Sequence, residues 1–341
     1  MGRHVIWLLV LLLSLSGCGP RARDFEQVSS QEKIVLKFSH VVSEASPKGR
    51  AARRWAELVA RRSSGRVEIQ VFPNSTLYKD GEELEALQKG YVQIIAPATS
   101  KLTKVAPAWQ LLDLPFFFQD IEEVHRVVDG EVGQGLALSL LPRGMQVLAF
   151  WDNGFKLMTA NRPLQSVRDF QGLRFRIMDS PVLVQQFRRL GAEPVVLAFS
   201  DVYSALERHK VDGSENTSSN LYSKKFYQLQ KNLTVSNHGY LGYAVLVNSR
   251  QWQALPVEIR KLLTGTLAEV TAWERQEALK QNQEDLTRIR QEKETVVYDL
   301  SPEELEAWKA ILHPLRQEMQ AEIGKELLQE AEREKHKLPH R

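Results

Sequence analysis

The chain of 341 residues has a single cysteine, Cys18. One cysteine excludes an intrachain disulfide framework, a zinc–thiolate cluster and an iron–sulfur centre. Excess charge is also scarce: 45 Lys and Arg stand against 42 Asp and Glu, a net charge of +3. A nucleic-acid binder would carry a clear basic footprint, which this balance lacks. No apolar run reaches the ~20 residues of a membrane-spanning helix. There is no GxGxxG loop between a strand and a helix, and no GxSxG or HExxH motif. No repeat of 20–50 residues recurs, which excludes solenoids. No catalytic residue, cofactor site or metal site is therefore read from the sequence. What is present is an ordinary globular balance, 43% apolar and 26% charged, in a chain long enough for two domains.

The N-terminus carries export chemistry. Arg3 and His4 precede the apolar run Val5 to Leu13, which is too short to span a bilayer but fits the h-region of a signal peptide. Leu15-Ser16-Gly17-Cys18 then places small residues before the only cysteine. This run resembles a bacterial lipobox, which implies cleavage before Cys18 and a lipid on its sulfur. Residues 1–17 are expected to be the signal and 18–31 a lipid-anchored tether. The protein is thus expected to be periplasmic or cell-surface and held to the membrane by lipid.

From Lys33 onward the pattern alternates strand and helix. Lys33 to His40 is strand-like, and Pro47 opens a helix with Ala51, Trp55, Leu58, Val59 and Arg62 on one face. Val67 to Phe72 alternates like a half-buried strand, a short helix follows from Glu82 to Lys89 with Gly90 as its stop, and Val92 to Ala96 is a strand. This βαβαβ rhythm predicts an α/β fold with a mixed or parallel sheet. A second unit opens near residue 150, with strands at 145–151, 155–160, 173–177, 194–198 and 240–247. Asn153-Gly154 reads as a turn. From Val257 to Glu292 there is no proline and one glycine, so a helix of about 54 Å is predicted, long enough to brace two domains. Residues 328–341 read as a charged, solvated tail.

Several polar residues stand out within these elements. Arg174 and Arg176 share one face of a strand. That face is either solvated or presents a guanidinium to a carboxylate, which it can hold in a planar, bidentate manner. Asn216 ends the run Asp212-Gly213-Ser214-Glu215-Asn216, either as a turn residue or as an amide in an interdomain cleft. Lys156 closes Trp151-Asp152-Asn153-Gly154-Phe155-Lys156 at the predicted domain crossing. His40, Lys48 and Lys101 are further basic candidates.

Taken together, Phe38-Ser39-His40-Val41, Pro73-Asn74-Ser75, Trp151 to Lys156, Arg174 to Met178, Phe199 to Leu206 and Asn237 to Tyr243 resemble the DctP-type solute receptors of tripartite ATP-independent periplasmic (TRAP) transporters. The resemblance runs from about Val35 to Leu327. It implies a two-lobed periplasmic-binding-protein fold with the long helix bracing both lobes. Lobe I would comprise 32–153 plus about 242–281, and lobe II 154–241 plus about 282–327. It also implies roles for particular residues. Arg176 would pair with a ligand carboxylate and Asn216 would hydrogen-bond the ligand. Lys156, Ser39, His40, Ser100, Lys101 and Trp151 would complete the site. Ser214 and Thr217 depart from the family pattern, which has glutamine and proline there.

The implied ligand is an organic acid anion, above all a C4-dicarboxylate such as malate, succinate or fumarate. The implied partners are a small and a large membrane subunit. Alternatives left open are a receptor for another organic acid, a sensor that presents its ligand to a signalling partner, and an enzyme on the same scaffold.

Overall fold

Strand β1 (Ile34–Ser39) opens the computed structural model, which describes residues 33–337; the signal, the tether and Cys18 lie outside the described residues. Ser46 then caps the helix Pro47–Arg62 by accepting the Gly49 N–H, and Pro47 sits at its first turn, where its missing N–H costs nothing. Trp55 is buried on the inner face of this helix, and its indole N–H reaches Thr266 Oγ1 at 3.1 Å on the long helix.

The remaining strands are β2 (Val67–Phe72), β3 (Ile94–Ile95), β4 (Met145–Phe155), β5 (Leu157–Ala160), β6 (Arg174–Ile177), β7 (Glu193–Val196), β8 (Gly213–Asn216), β9 (Asn232–Val235), β10 (Tyr240–Asn248) and β11 (Val296–Asp299). They form two mixed sheets. The first has the order β2-β1-β3-β10-β4 and the second β11-β9-β5-β8-β6-β7. Each sheet carries helices, so the expected two-lobed α/β architecture is what the chain adopts. All nine residues of β10 are buried, which explains its unbroken apolar run.

The long helix spans Val257–Gln291. It packs on the helix Pro47–Arg62 and β4 in lobe I, then on Ser218–Ser223 and β11 in lobe II. The chain also passes between lobes from β4 to β5 and from β9 to β10.

Two expectations are corrected. Asn153-Gly154 is no turn: β4 runs through both residues, and the register to β10 jumps from Gly242↔Asp152 to Leu241↔Gly154. Asn153 is therefore the extra residue of a β-bulge, and Gly154 takes φ +120°. The C-terminal segment is not a solvated tail as far as Lys335. The helix Lys325–Lys335 returns to lobe I and packs on the helices Ile121–Asp129 and Glu131–Ser139. Leu328 and Ala331 are buried there, and the Glu334 carboxylate accepts the Glu131 N–H at 2.6 Å. Charged residues dominate its composition, and two of them, Glu334 and Lys335, are themselves buried, so the sparse apolar stripe was hidden.

Candidate functional site

A small cavity lies between the two sheets. Its polar walls are Asp80, Lys101, Arg176, Asn216, Asn220 and Tyr243, and Val41, Met178, Phe199 and Leu241 line the rest. The lobes touch across it. The Asp80 carboxylate accepts the Phe199 N–H at 3.2 Å, Lys104 meets Asp179 at 2.8 Å, and Lys224 donates to Asn74 Oδ1 at 2.7 Å.

Arg176 stands on β6, which lies between β8 and β7 inside the second sheet. Its neighbour Arg174 reaches the edge and pairs with Asp212 at 2.8 Å, as a solvated strand face would. Arg176 instead is 1% exposed. Its Nε and Nη2 both donate to the Leu197 carbonyl, at 3.2 and 2.9 Å. A guanidinium has five N–H donors, so Nη1 and one Nη2 proton remain for another acceptor. No carboxylate among the described residues lies within ion-pair distance of it. Burial lowers its pKa, against the opposing pull of Asp80 and Glu215. A buried cation without a counter-ion costs several kcal/mol, and an anion placed here would offset that cost.

Asn216 ends β8 beside Arg176. Its Oδ1 accepts the Thr217 N–H at 3.0 Å and the Asn220 Nδ2 at 2.9 Å. Its own Nδ2 is left as a donor at the cavity. Lys101 also lines the cavity and pairs with Asp80 at 3.1 Å.

The other expected site residues have different surroundings. Lys156 does not reach the cavity wall: its ammonium is fully buried and 2.8 Å from Glu215 Oε1. Glu215 Oε2 meets His238 Nε2 at 2.8 Å, and His238 Nδ1 meets the Ser236 hydroxyl at 2.7 Å. Burial pushes the Glu215 carboxyl up, but the Lys156 charge and the His238 hydrogen bond outweigh it and hold it at about 2. Burial also lowers His238, so its ring is neutral at pH 7. The expectation that Lys156 faces the ligand thus gives way to an internal ion pair.

Trp151 is core, packed against Phe38 with its indole N–H on Thr271 at 2.9 Å. Ser100 donates to Asp113 at 2.5 Å, away from the cavity lining. Ser39 and His40 are buried beside it but do not line it, and neither the Ser39 hydroxyl nor either His40 ring nitrogen has a partner among the described residues. Burial, with the charges of Lys48, Arg53 and Lys224, lowers the His40 pKa well below 6.5. Its imidazole is neutral at pH 7 and cannot act as a second cation.

Asp80, Asn220 and Tyr243 were missed by the sequence reading. Tyr243 sits in an apolar strand, where its hydroxyl was the only signal. Asp80 lies in the turn before a helix and carries no distinguishing signal. Lys48, a candidate from sequence, sits under the wall with its ammonium 3.6 Å from the Tyr243 ring centroid. Burial brings Lys48 down to about 8 and, by the same cause, raises Glu83 to about 8. On the cavity wall Arg176 is the cation without a close carboxylate among the described residues, Lys101 is paired with Asp80, and Lys48 lies beneath the wall.

The model of bacterial extracellular solute-binding protein family 7, DctP, matches residues 38–323, and the chain belongs to that family. It is 45% identical over 298 residues to the C4-dicarboxylate-binding periplasmic protein DctP of Rhodobacter capsulatus, covering 87% of this chain and 90% of that one. It is 44% identical over 308 residues to the C4-dicarboxylate-binding protein DctB of Bacillus subtilis, covering 90% and 88%. Its fold superposes on a TRAP periplasmic solute-binding protein of Shewanella oneidensis, solved with bound succinate, at a TM-score of 0.87 and 40% identity over 89% of this chain and 99% of that one.

Proposed function

We propose that the protein captures a C4-dicarboxylate between its lobes and delivers it unchanged to the small and large membrane subunits of a TRAP transporter. The observation that carries this is Arg176, a buried guanidinium with free donors and no counter-ion among the described residues. A ligand carboxylate supplies the missing charge, and the Asn216 amide donates beside it. Lys101 lies on the same cavity and answers the second carboxylate. The C4-dicarboxylate-binding relatives and the succinate-bound structure support the choice of acid. Ligand contacts with both lobes favour the closed form, so capture is a population shift toward closure. Cys18, lipidated after cleavage, would hold the receptor near the permease.

Thermal unfolding of residues 19–341 tests this reading against succinate, L-malate and fumarate, with a sugar acid and a keto acid beside them. An acid at 1,000 times its Kd adds about 4 kcal/mol to stability. Stabilisation by the C4-dicarboxylates is expected. Stabilisation only by another acid would replace the ligand class, and no response to any acid would remove the anion site.

A further inference from the structure

We infer that Thr217 is a positioning residue: it fixes which end of the Asn216 carboxamide meets the ligand and ties that amide to the junction between the lobes through Asn153. The inference rests on the proposed role of Asn216 as a ligand contact.

The junction is built on the bulge. As the extra residue of β4, Asn153 is released from the ladder to β10. Its carboxamide has three partners from both lobes. Oδ1 accepts from the hydroxyls of Thr217 at 2.9 Å and Ser219 at 3.0 Å, and Nδ2 donates to the Tyr243 hydroxyl at 2.7 Å. All four side chains are buried, so none of these bonds competes with bulk water. The long helix closes the junction from behind, where Asn282 Oδ1 accepts the Ser219 N–H at 3.0 Å.

Thr217 links this junction to the cavity with two donors. Its hydroxyl goes to Asn153, and its N–H goes to Asn216 Oδ1. The second matters chemically. An asparagine side chain can present either its oxygen or its NH₂ group, and only the NH₂ group can donate to a carboxylate. Two donors, Thr217 N–H and Asn220 Nδ2, converge on one atom of Asn216. That atom must be the oxygen, so the NH₂ group is the end left for an anion. The opposite flip would set an oxygen against the ligand's negative charge.

The backbone supplies a direct test. Thr217 has φ −78° and ψ 157°, within the range that proline adopts. Asn216 before it is extended in β8, as a residue preceding proline should be. Thr217→Pro therefore keeps the chain path but removes both donors. The ring Cδ also occupies the place of the N–H, so Asn216 Oδ1 must move away. Thr217→Val removes only the hydroxyl, and Thr217→Ser keeps both donors.

The measurement is the succinate Kd of the mature protein by titration calorimetry, with the ligand-free melting temperature of each variant. Thr217→Pro is expected to weaken binding at least ten-fold, Thr217→Val by a smaller factor, and Thr217→Ser by less than two-fold. Asn216→Ala serves as the second arm of a cycle. If Thr217 acts through Asn216, Thr217→Pro adds less than a two-fold loss in the Asn216→Ala background. An equal loss in both backgrounds would make Thr217 merely structural and overturn the inference. If Asn216→Ala weakens binding but neither Thr217→Pro nor Thr217→Val does, the inference falls while the site stands. If Asn216→Ala leaves the succinate Kd unchanged, or the wild type does not bind succinate, the underlying reading fails and takes this one with it. Should Thr217→Pro not fold, Thr217→Val against Thr217→Ser decides: equal affinities overturn the role of the hydroxyl.

Discussion

Lys156 and Glu215 form an ion pair 2.8 Å long that is sealed from solvent on every side. His238 bonds the other oxygen of the same carboxylate. The pair lies where the chain passes from β4 into β5, while Asn216, the next residue after Glu215, reaches the cavity. A cation expected at the ligand thus pairs with a carboxylate inside the strand that carries a cavity-facing amide.

This pair makes the protein acid-sensitive. Glu215 holds its proton only below about 2 in the folded chain, against an ordinary value of 4.5. A depressed carboxyl contributes stability that is present above 4.5 and lost as pH falls from 4.5 toward 2. The full difference corresponds to roughly 3 kcal/mol. Urea unfolding between pH 6 and 3 should show a steeper acid loss in the wild type than in Glu215→Gln. Parallel pH profiles would remove Glu215 as the cause.

Arg176→Ala should weaken succinate binding by about 100-fold or more, because removing one partner of a buried charge pair costs roughly 3 kcal/mol. Arg176→Lys should not restore it, since one ammonium cannot serve the Leu197 carbonyl and a carboxylate with the geometry of a guanidinium. Calorimetry reads both. An Arg176→Ala variant with unaltered affinity would place the anion elsewhere.

His40 should stay neutral through the physiological range. Its ring resonances are expected to show no titration between pH 8 and 6 in the folded protein, because burial and three nearby cations lower its pKa well below 6.5. The sign for stability follows: the unfolded state takes up the proton first, so this group reduces stability as pH falls below 6.5. A midpoint near 6.5 by NMR would mean that His40 is hydrated or faces an anion.

The C-terminal helix offers a test of its own. Deleting residues 325–341 should lower the melting temperature, since it uncovers the helices 121–129 and 131–139 and removes the Glu334 carboxylate from the Glu131 N–H. Leu328→Ala alone should cost about 2–3 kcal/mol in urea unfolding. A truncated chain as stable as the full one would return this segment to the status of a tail.

The sequence was legible where local signals and packing agree. Ser46 and Pro47 start a helix by themselves, β10 is apolar because both of its faces are covered, and the long helix lacks any breaker. Arg176, Asn216 and Lys101 were found through motif resemblance, and the structure gathers them on one cavity. Lys156 misled because its partner Glu215 is 59 residues away, and no local pattern distinguishes an internal cation from a ligand-facing one. The Asn153-Gly154 pair has turn chemistry, yet pairing with β10 absorbed it as a bulge. In the helix Lys325–Lys335, burial of Leu328 and Ala331 depends on helices 200 residues earlier, so composition alone pointed to solvent.

That return of the last helix sets an order of assembly. Glu131 and Glu334 are 203 positions apart, and the bond between them closes lobe I. Lobe II needs nothing beyond the helix Pro302–Leu312 and its neighbours. A chain leaving a translocation channel N-terminus first thus emerges with the residues of lobe I ahead of those of lobe II, yet can complete lobe II sooner. The first lobe to appear is the last to be sealed, and until then Val124, Val127 and Leu136 lack part of their cover. Closing so long a loop carries an entropic penalty that short-range contacts do not. Docking of the eleven-residue helix Lys325–Lys335 is thus the last long-range contact that lobe I requires.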